Sequence, residues 1–469
     1  MRKAKIIATI GPACDNAEEL TKMAKAGVNA FRFNMSHGDY AWHGQTIDIV
    51  KEVRDNLGLS LPIIVDTKGP EIRIGTFSNG KVNLKVGAFF TLTAQPIEGS
   101  EEMVAITYSK LPKLLHNGDR ILVNDGLICL EVVKTTTTDI VTKVIEGGVL
   151  SNNKSINIPD VKLNLPYLSL QDRKDINFAV SKGVEYLAIS FVRSADDVLE
   201  IKDYIGRLGE LNLKVISKIE CQEGIDNIDE IIKVSDGIMV ARGDMGVEIP
   251  FERIPQMQKK IIKKCREQGK LVITATEMLE SMIEKSRPTR AEISDVANAV
   301  LDGTGAVMLS GETSVGRDPT LVIQTMDKIV RECENNNDLT FNQNELTSLE
   351  GNITASVALG ACSLARASNA KAIIAVTRSG ATVTEVSRFR PKTMIIGCTP
   401  DEKVFMQLGL VWGVIPILQN EINTLTNLLS DARECAKIAG LVRKGDLVVQ
   451  TAGQDLTDQG SNMLLINKI

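Results

Sequence analysis

Short apolar runs recur through the first and middle parts of the chain, and most end in a polar or charged residue. The run at 28–31 leads to Arg32 and Asn34, and the run at 62–65 to Asp66 and Lys68. Ser217-Lys218-Ile219-Glu220 and Ala241-Arg242-Gly243-Asp244 close two more. Residues 271–273 precede Thr274 and Thr276, and 306–309 precede Ser310 and Glu312. Apolar positions near 16–26 and 41–57 recur at helical spacing, with Gly27 and Gly58 as stop signals. Such runs predict strands at 5–10, 28–34 and 62–66, then at 186–191, 214–218, 237–241, 271–274 and 306–309. Three strands before an interruption and five after it make eight, which selects a (β/α)8 TIM barrel over an open sheet.

In the interruption the alternation changes to period 2. Segments at 81–86, 89–93, 120–123, 128–133 and 140–144 are separated by the turn residues Asn79-Gly80, Asn117-Gly118, Asn124-Asp125-Gly126 and Gly147-Gly148. An inserted small all-β barrel domain is expected there. A polar, aperiodic stretch at 333–351 reads as a linker. Strands at 371–376, 393–397, 411–416 and 446–450 with helices between them predict a C-terminal α/β three-layer domain. The expected division is 1–69 and 166–337 for the barrel, 70–165 for the insertion and 338–469 for the C-terminal domain.

Composition narrows the function. The 469 residues, 43% hydrophobic and 24% charged, suit a soluble multidomain protein. A net charge of −5 and a pI near 5.6 argue against nucleic acid as the main partner. No apolar run reaches the length of a membrane span, and no signal peptide is expected at the start, so a cytoplasmic location is anticipated. Eight cysteines without a C-x-x-C pair read as free buried thiols.

The predicted strand ends supply acids at Asp66, Glu71, Glu220, Asp244 and Glu312, and bases at Arg32, Lys68, Arg73, Lys218 and Arg242. Hydroxyls stand at Ser36, Thr67, Thr276 and Ser310. None of the three histidines falls at a strand end, so Ser-His-Asp hydrolysis and histidine-ligated zinc are poor readings. Carboxylate oxygens suit Mg2+ or Mn2+, and the cations beside them suit a phosphorylated anion. A Walker A loop is absent. A lone acid after a strand is often a helix cap, and Glu252, Glu292 and Asp295 read as first-turn or face charges of that kind. Five of eight strands ending alike favour a joint functional role. In the C-terminal part, Thr377, Arg378, Ser379, Gly380 and Thr382 form either an anion nest at a helix start or an ordinary capping turn.

Six segments carry a resemblance over the whole chain: Thr9-Ile10-Gly11-Pro12, Arg32-Phe33-Asn34-Met35-Ser36-His37-Gly38, Asp66-Thr67-Lys68-Gly69-Pro70-Glu71-Ile72-Arg73, Met239-Val240-Ala241-Arg242-Gly243-Asp244, Thr274-Ala275-Thr276-Glu277-Met278-Leu279-Glu280-Ser281-Met282 and Arg287-Pro288-Thr289-Arg290-Ala291-Glu292. The chain closely resembles the pyruvate kinase family. The resemblance implies phosphoryl transfer from phosphoenolpyruvate to ADP, giving pyruvate and ATP.

It further implies that Glu220 and Asp244 ligate Mg2+ or Mn2+, that Lys218 faces the phosphoryl group and enolate oxygen, and that Arg32 clamps the phosphate. The amides of Arg242, Gly243 and Asp244 would receive the substrate carboxylate, and Thr276 would lie in the proton path. Asn34, Ser36, Asp66 and Thr67 match K+ ligands, Glu71 matches the K+-requiring branch, and Arg73, His37 and Asn34 would face the nucleotide. The lid would hinge near Gly69-Pro70 and near Pro166. The loop 377–382 would hold a phosphate of a sugar-phosphate effector. A homotetramer is implied, as is the absence of the extra phosphohistidine-type domain of some bacterial relatives.

Three positions depart from the family pattern: Glu277 in place of Gln, Cys221 in place of Asn, and Val315 in place of Lys. Glu277 is expected to add a negative charge near the enolate. Two other readings are a lyase or aldolase acting on pyruvate enolates and a weakly catalytic paralogue that senses sugar phosphate. The inserted β-domain and the C-terminal domain count against the first; Glu277 and Val315 motivate the second.

Overall fold

The computed structural model describes residues 2–159, 161, 166–336, 352–421, 424–453 and 460–469. Strands Lys5–Thr9, Ala30–Asn34, Ile63–Asp66, Tyr186–Ile189, Lys214–Ile219, Gly237–Ala241, Leu271–Ala275 and Ala306–Leu309 close into a parallel barrel. The first strand pairs with the last, Lys5 opposite Ala306. Alternate residues serve two cores. Ile7, Ala30, Ile64, Ala188, Ile216 and Met239 fill the interior, while Ile6, Phe31, Val65, Leu187 and Val215 pack outward against the helices. Burial on both faces is why these strands read as unbroken apolar runs.

Helix boundaries follow local chemistry. Asn16 caps the helix Ala17–Ala26 by accepting from the Glu19 amide, and Gly27 ends it at φ 113°. Thr289 and Glu292 form a reciprocal capping box on Arg290–Asp302, the role expected for Glu292. The fourth strand stops at Ile189, two residues short of the expected end. Ser190 and Phe191 turn away instead, with Phe191 at φ 54°.

The insertion contains the five expected strands and four further short ones, Ile72–Arg73, Met103–Ala105, Gly148–Ser151 and Ser155–Asn157. Gly148, expected in a turn, opens a strand paired with Lys81–Leu84. The neighbouring Gly147 is needed for close approach: a Cβ there would lie 2.3 Å from the Leu84 carbonyl oxygen. The seven-stranded sheet runs from Ile72–Arg73 at one edge to Met103–Ala105 at the other. An Ile74–Ile106 bridge and a 2.7 Å bond from the Gly75 amide to the Ala105 carbonyl tie those edges together. Phe90, Leu92, Ile121 and Leu130 are fully buried inside.

The C-terminal sheet has the order Val414–Leu418, Met394–Thr399, Ala372–Val376, Leu447–Ala452, Met463–Lys468. The last strand, antiparallel, was not anticipated. Ile373 and Ala375 face one helical layer and Ala372 and Ile374 the other, which makes the three layers. Residues 333–336 of the expected linker finish the helix Pro319–Asn336; the rest, with the 337/338 boundary, lies outside the described residues.

The floor of the barrel is plugged from the C-terminal part. Leu410 is fully buried in the interior cluster. The Tyr186 hydroxyl donates to the Gln407 carbonyl at 2.9 Å, and Lys5 Nζ to the Val414 carbonyl at 2.8 Å. No described helix is long and apolar enough to cross a membrane. None of the eight cysteines is in a disulfide; five are buried, and Cys221, Cys362 and Cys435 are partly exposed.

Candidate active site

The C-terminal ends of the strands and the underside of the β-insertion enclose a cavity of about 500 Å3. Arg32, Asn34, Ser36, His37, Thr67, Lys68, Glu71, Arg73, Lys218, Glu220 and Asp244 all line it. Pairing register brings Arg32 beside Ile64 and Asn34 beside Asp66, so residues 32 positions apart meet at one rim.

Arg32 is buried and held in place. Its Nε donates to Asp66 Oδ2 at 2.7 Å and its Nη1 to Thr9 Oγ1 at 3.0 Å. Lys218, buried as well, donates to Ser190 Oγ at 2.6 Å and lies 3.2 Å from Asp66 Oδ1 and 2.9 Å from Glu220 Oε1. Burial alone would lower the Lys218 ammonium; the charges of Asp66, Glu220 and Asp244 outweigh it and raise the group above the ordinary lysine value. Asp66 is likewise opposed by burial, yet Arg32 and Lys218 bring it below the usual carboxylate range.

Glu220 is fully buried. Burial raises its carboxyl to about 8, with Asp244 adding to the effect and Lys218 opposing it. Its Oε2 accepts the Phe191 amide at 2.6 Å, whereas Oε1 has the ionic contact to Lys218 but no hydrogen bond. Asp244 sits in the first turn of Arg242–Glu248. A buried carboxylate with an unbonded oxygen beside a second acid is a donor set that fits a hard divalent cation. Among the described residues no group of three or more histidine, cysteine or acidic side chains is placed to hold a metal ion by itself. Two protein carboxylates would leave coordination positions for substrate oxygens and water, the usual arrangement for Mg2+.

At the next part of the rim, Asn34 Oδ1 accepts the Ser36 amide at 3.1 Å, and Thr67 is buried. Glu71 Oε2 holds Arg73 at 2.8 Å, with Lys68 3.8 Å away. His37 is exposed, and its carbonyl accepts from His43 Nε2.

Other expected residues lie apart from the cavity. The Arg242 guanidinium turns outward to Asp295 at 2.6 Å and to the carbonyls of Ala275 and Thr276. Asp295 is therefore an anchor for Arg242 rather than a mere face charge. Thr276, at φ 64°, accepts the Gly243 amide on its Oγ1 at 2.8 Å and donates to Ala275, so that amide already has a partner. Glu277 is exposed and does not line the cavity, a correction to the charge expected near the reacting centre. Glu312 is also not a cavity group: fully buried, it accepts the amides of Leu279 and Ser310 and staples two loops. Glu252 is exposed in a short 3-10 turn, and Val315 is 59% exposed.

In the C-terminal loop, Arg378 and Ser379 are exposed, and Arg378 lies 3.5 Å from Glu421. Thr377 Oγ1 accepts the Gly380 amide at 2.9 Å, and Thr382 Oγ1 bonds Ser461 at 2.7 Å. Part of the expected anion nest is thus satisfied internally, as in a capping turn.

Residues that were not singled out also shape the mouth. Ser190 and Phe191 hold Lys218 and Glu220, and Asn157 of the insertion donates to Glu248 at 2.8 Å, bringing the β-insertion down on the barrel. Ser190 carried the same signal as the others, a polar residue after an apolar run. It falls inside the strand expected over 186–191, which ends at Ile189.

Fold and site define a barrel enzyme whose acids and bases gather at the C-terminal mouth beneath an inserted β-domain. Comparison with known proteins makes this specific. Residues 1–323 match the pyruvate kinase barrel-domain model and residues 355–467 the pyruvate kinase alpha/beta-domain model. The pyruvate kinase of Clostridium acetobutylicum is 44% identical over 100% of both chains. That of Geobacillus stearothermophilus is 44% identical over 99% of this chain and 80% of its own. A solved pyruvate kinase from Cryptosporidium parvum superposes with a TM-score of 0.93 at 37% identity, covering 100% of this chain and 96% of that one. The chain belongs to the pyruvate kinase family, and it is a phosphotransferase of that type.

Proposed function

We propose that this chain transfers the phosphoryl group of phosphoenolpyruvate to ADP, giving pyruvate and ATP, and that it requires Mg2+ or Mn2+ and K+. The observation that carries the reading is Lys218: a buried ammonium, kept charged by Asp66 and Glu220, that lines a cavity beside Arg32. A fixed cation at that point stabilises negative charge as it develops on the enolate oxygen, without reorganisation. Arg32, locked by Asp66 and Thr9, binds and orients the phosphate. When bound at Glu220 and Asp244, a divalent cation supplies Lewis-acid charge to substrate oxygens.

Asn34, Ser36, Asp66 and Thr67 offer oxygen donors for K+, and Glu71 stands near them between Lys68 and Arg73. Arg73, His37 and Asn34 line the same cavity on the side assigned to the nucleotide. The amides of Arg242, Gly243 and Asp244 at a helix start receive the substrate carboxylate, which displaces Thr276 Oγ1 from Gly243. Thr276 then lies free to pass the proton that completes the methyl group. The β-insertion, resting on Glu248 through Asn157, excludes water. A sugar phosphate as effector at Thr377, Arg378, Ser379, Gly380 and Thr382, a homotetrameric assembly and a cytoplasmic location complete the proposal.

Phosphorus-31 spectra of phosphoenolpyruvate, ADP and Mg2+ with the protein, in KCl and in NaCl, test it. Loss of the phosphoenolpyruvate signal matched by gain of ATP γ-phosphate, in K+ alone, is the expected result. Equal turnover in Na+ would remove the K+ assignment. Release of inorganic phosphate only, or no change, would contradict the reaction.

A further inference from the structure

Ser190 and Phe191 make bonds at the mouth that run in three directions. The Ser190 hydroxyl has one proton, and it goes to the Thr67 carbonyl at 2.8 Å. Toward Lys218, 2.6 Å away, the same oxygen can therefore act only as an acceptor, which fixes the direction of the ammonium. Asp66 Oδ1 lies 3.4 Å from it. The next amide, Phe191 N–H, holds Glu220 Oε2 at 2.6 Å and so leaves Oε1 as the oxygen without a hydrogen bond. Phe191 reaches this bond only in the left-handed region, a conformation a bulky residue rarely adopts unless its surroundings impose it.

The third direction leads to the β-insertion. The chain leaves the barrel for the insertion through Gly69, at φ 74°, whose Cα lies against the turn. A Cβ added there would stand 2.8 Å from Ser190 Cβ and 2.9 Å from its carbonyl oxygen. The chain returns through Tyr167, a buried residue whose hydroxyl donates to that same Ser190 carbonyl at 2.9 Å. The two crossings are themselves tied. The Gly69 amide donates to Asp172 Oδ1 at 2.9 Å, and Asp172 is the capping-box partner of Ser169 on Leu170–Ser181. One peptide unit therefore touches both crossings of the insertion on one side and the buried carboxylate on the other, while the Ser190 hydroxyl beside it holds the lysine.

We propose that the Ser190-Phe191 turn is a positioning strap, through which the placement of the β-insertion sets the alignment of Lys218 and Glu220; this rests on the phosphoryl-transfer reading above. Ser190 and Tyr167 are positioning residues: they act through Lys218 and Glu220. An ordinary packed turn would show the same burial, but its disruption would not separate turnover from substrate affinity.

The test uses the full chain with Ser190→Ala, Tyr167→Phe and the double variant. Ser190→Ala is expected to lower kcat about ten- to a hundredfold, the range of a hydrogen bond to a charged group, while KM for phosphoenolpyruvate stays within about threefold. Tyr167→Phe, which keeps the ring and removes one hydroxyl, is expected to lower kcat about threefold to tenfold. It should also speed hydrogen exchange of the Phe191 amide by about tenfold. In the double variant the losses should fall short of their product. A Ser190→Ala enzyme with kcat within about twofold of the parent, unchanged Phe191 exchange in Tyr167→Phe, or fully multiplicative losses would each overturn the strap. If Ser190→Ala does not fold, Tyr167→Phe decides alone. The exchange readout needs no turnover, so failure of the strap and failure of the phosphoryl-transfer reading remain distinct.

Discussion

At the C-terminal mouth of the barrel, Arg32 and Lys218 are set against carboxylates and line a cavity of about 500 Å3. At the N-terminal floor, Lys5 and Arg390 are just as buried but are set against backbone carbonyls and an indole ring. Lys5 Nζ donates to the Val414 carbonyl. Arg390 donates to the carbonyls of Gly303 and Thr304 and stacks 4.3 Å from the Trp412 ring centroid. A second cavity of about 360 Å3 adjoins the floor; there Lys270 donates to the Lys233 and Ser235 carbonyls, and Arg388, although paired with Glu385, also caps the Glu267 carbonyl. A buried cation opposed by a carboxylate at an open cavity keeps a charge that substrate can use. One that caps carbonyls joins two parts of the chain. The two ends have similar residues and different partners, and the partners decide the role.

The strongest way to break this contrast is Lys218→Met. It should lower kcat about a thousandfold or more, equivalent to ~4 kcal/mol of transition-state stabilisation, while far-ultraviolet circular dichroism at 25 °C is unchanged. The matching change at the floor, Arg390→Met, leaves carbonyls unpaired and should destabilise the chain by about 2–4 kcal/mol, with kcat of the folded fraction within about twofold. Calorimetry reads the first effect and steady-state assays the second.

Lys5 sharpens the contrast through pH. Burial, with the Arg2 charge adding to it, lowers its ammonium from 10.5 to about 7. The unfolded chain holds that proton up to about pH 10.5 and the folded chain releases it near 7. The native penalty is therefore full below pH 7 and fades as pH rises toward 10.5. Relative to the parent, Lys5→Met should therefore fare better at pH 6 than at pH 10 by about 2 kcal/mol, the lost bond to the Val414 carbonyl being common to both, as measured by urea unfolding. Smaller still is Thr377→Ala, which removes the bond to the Gly380 amide: about 1 kcal/mol, together with loss of any response to added sugar phosphate. Smallest is Glu277→Gln, exposed and outside the cavity, with kcat within about twofold of the parent.

What could be read from the chain before folding follows the same division. The eight barrel strands were legible because both of their faces are buried, so each appears as an unbroken apolar run ending in a polar residue. Ile72–Arg73 and Met103–Ala105 were not, since two or three residues at a sheet edge carry no period. Met463–Lys468 opens on the apolar run 463–466, but it is a partly exposed antiparallel edge strand outside the β-α alternation that marks the others. Residue type at strand ends placed Arg32, Asp66, Lys218 and Glu220 at one rim.

It could not tell Glu312, which turns inward to two loop amides, from Glu220, which borders the cavity. Nor could it show that Arg242 faces Asp295, because that depends on a pairing 53 residues distant. Hydrogen-bond partners of this kind are a property of the packed structure, and they separate a cavity group from a cap.

The most direct test sets Lys218→Met and Arg390→Met side by side, measuring kcat for pyruvate formation and the thermal midpoint of each. The account predicts that Lys218→Met loses about three orders of magnitude in kcat, whereas Arg390→Met keeps its kcat and loses about 5 °C or more in midpoint. Comparable losses of kcat in both variants, or near-parental turnover in Lys218→Met, would contradict it.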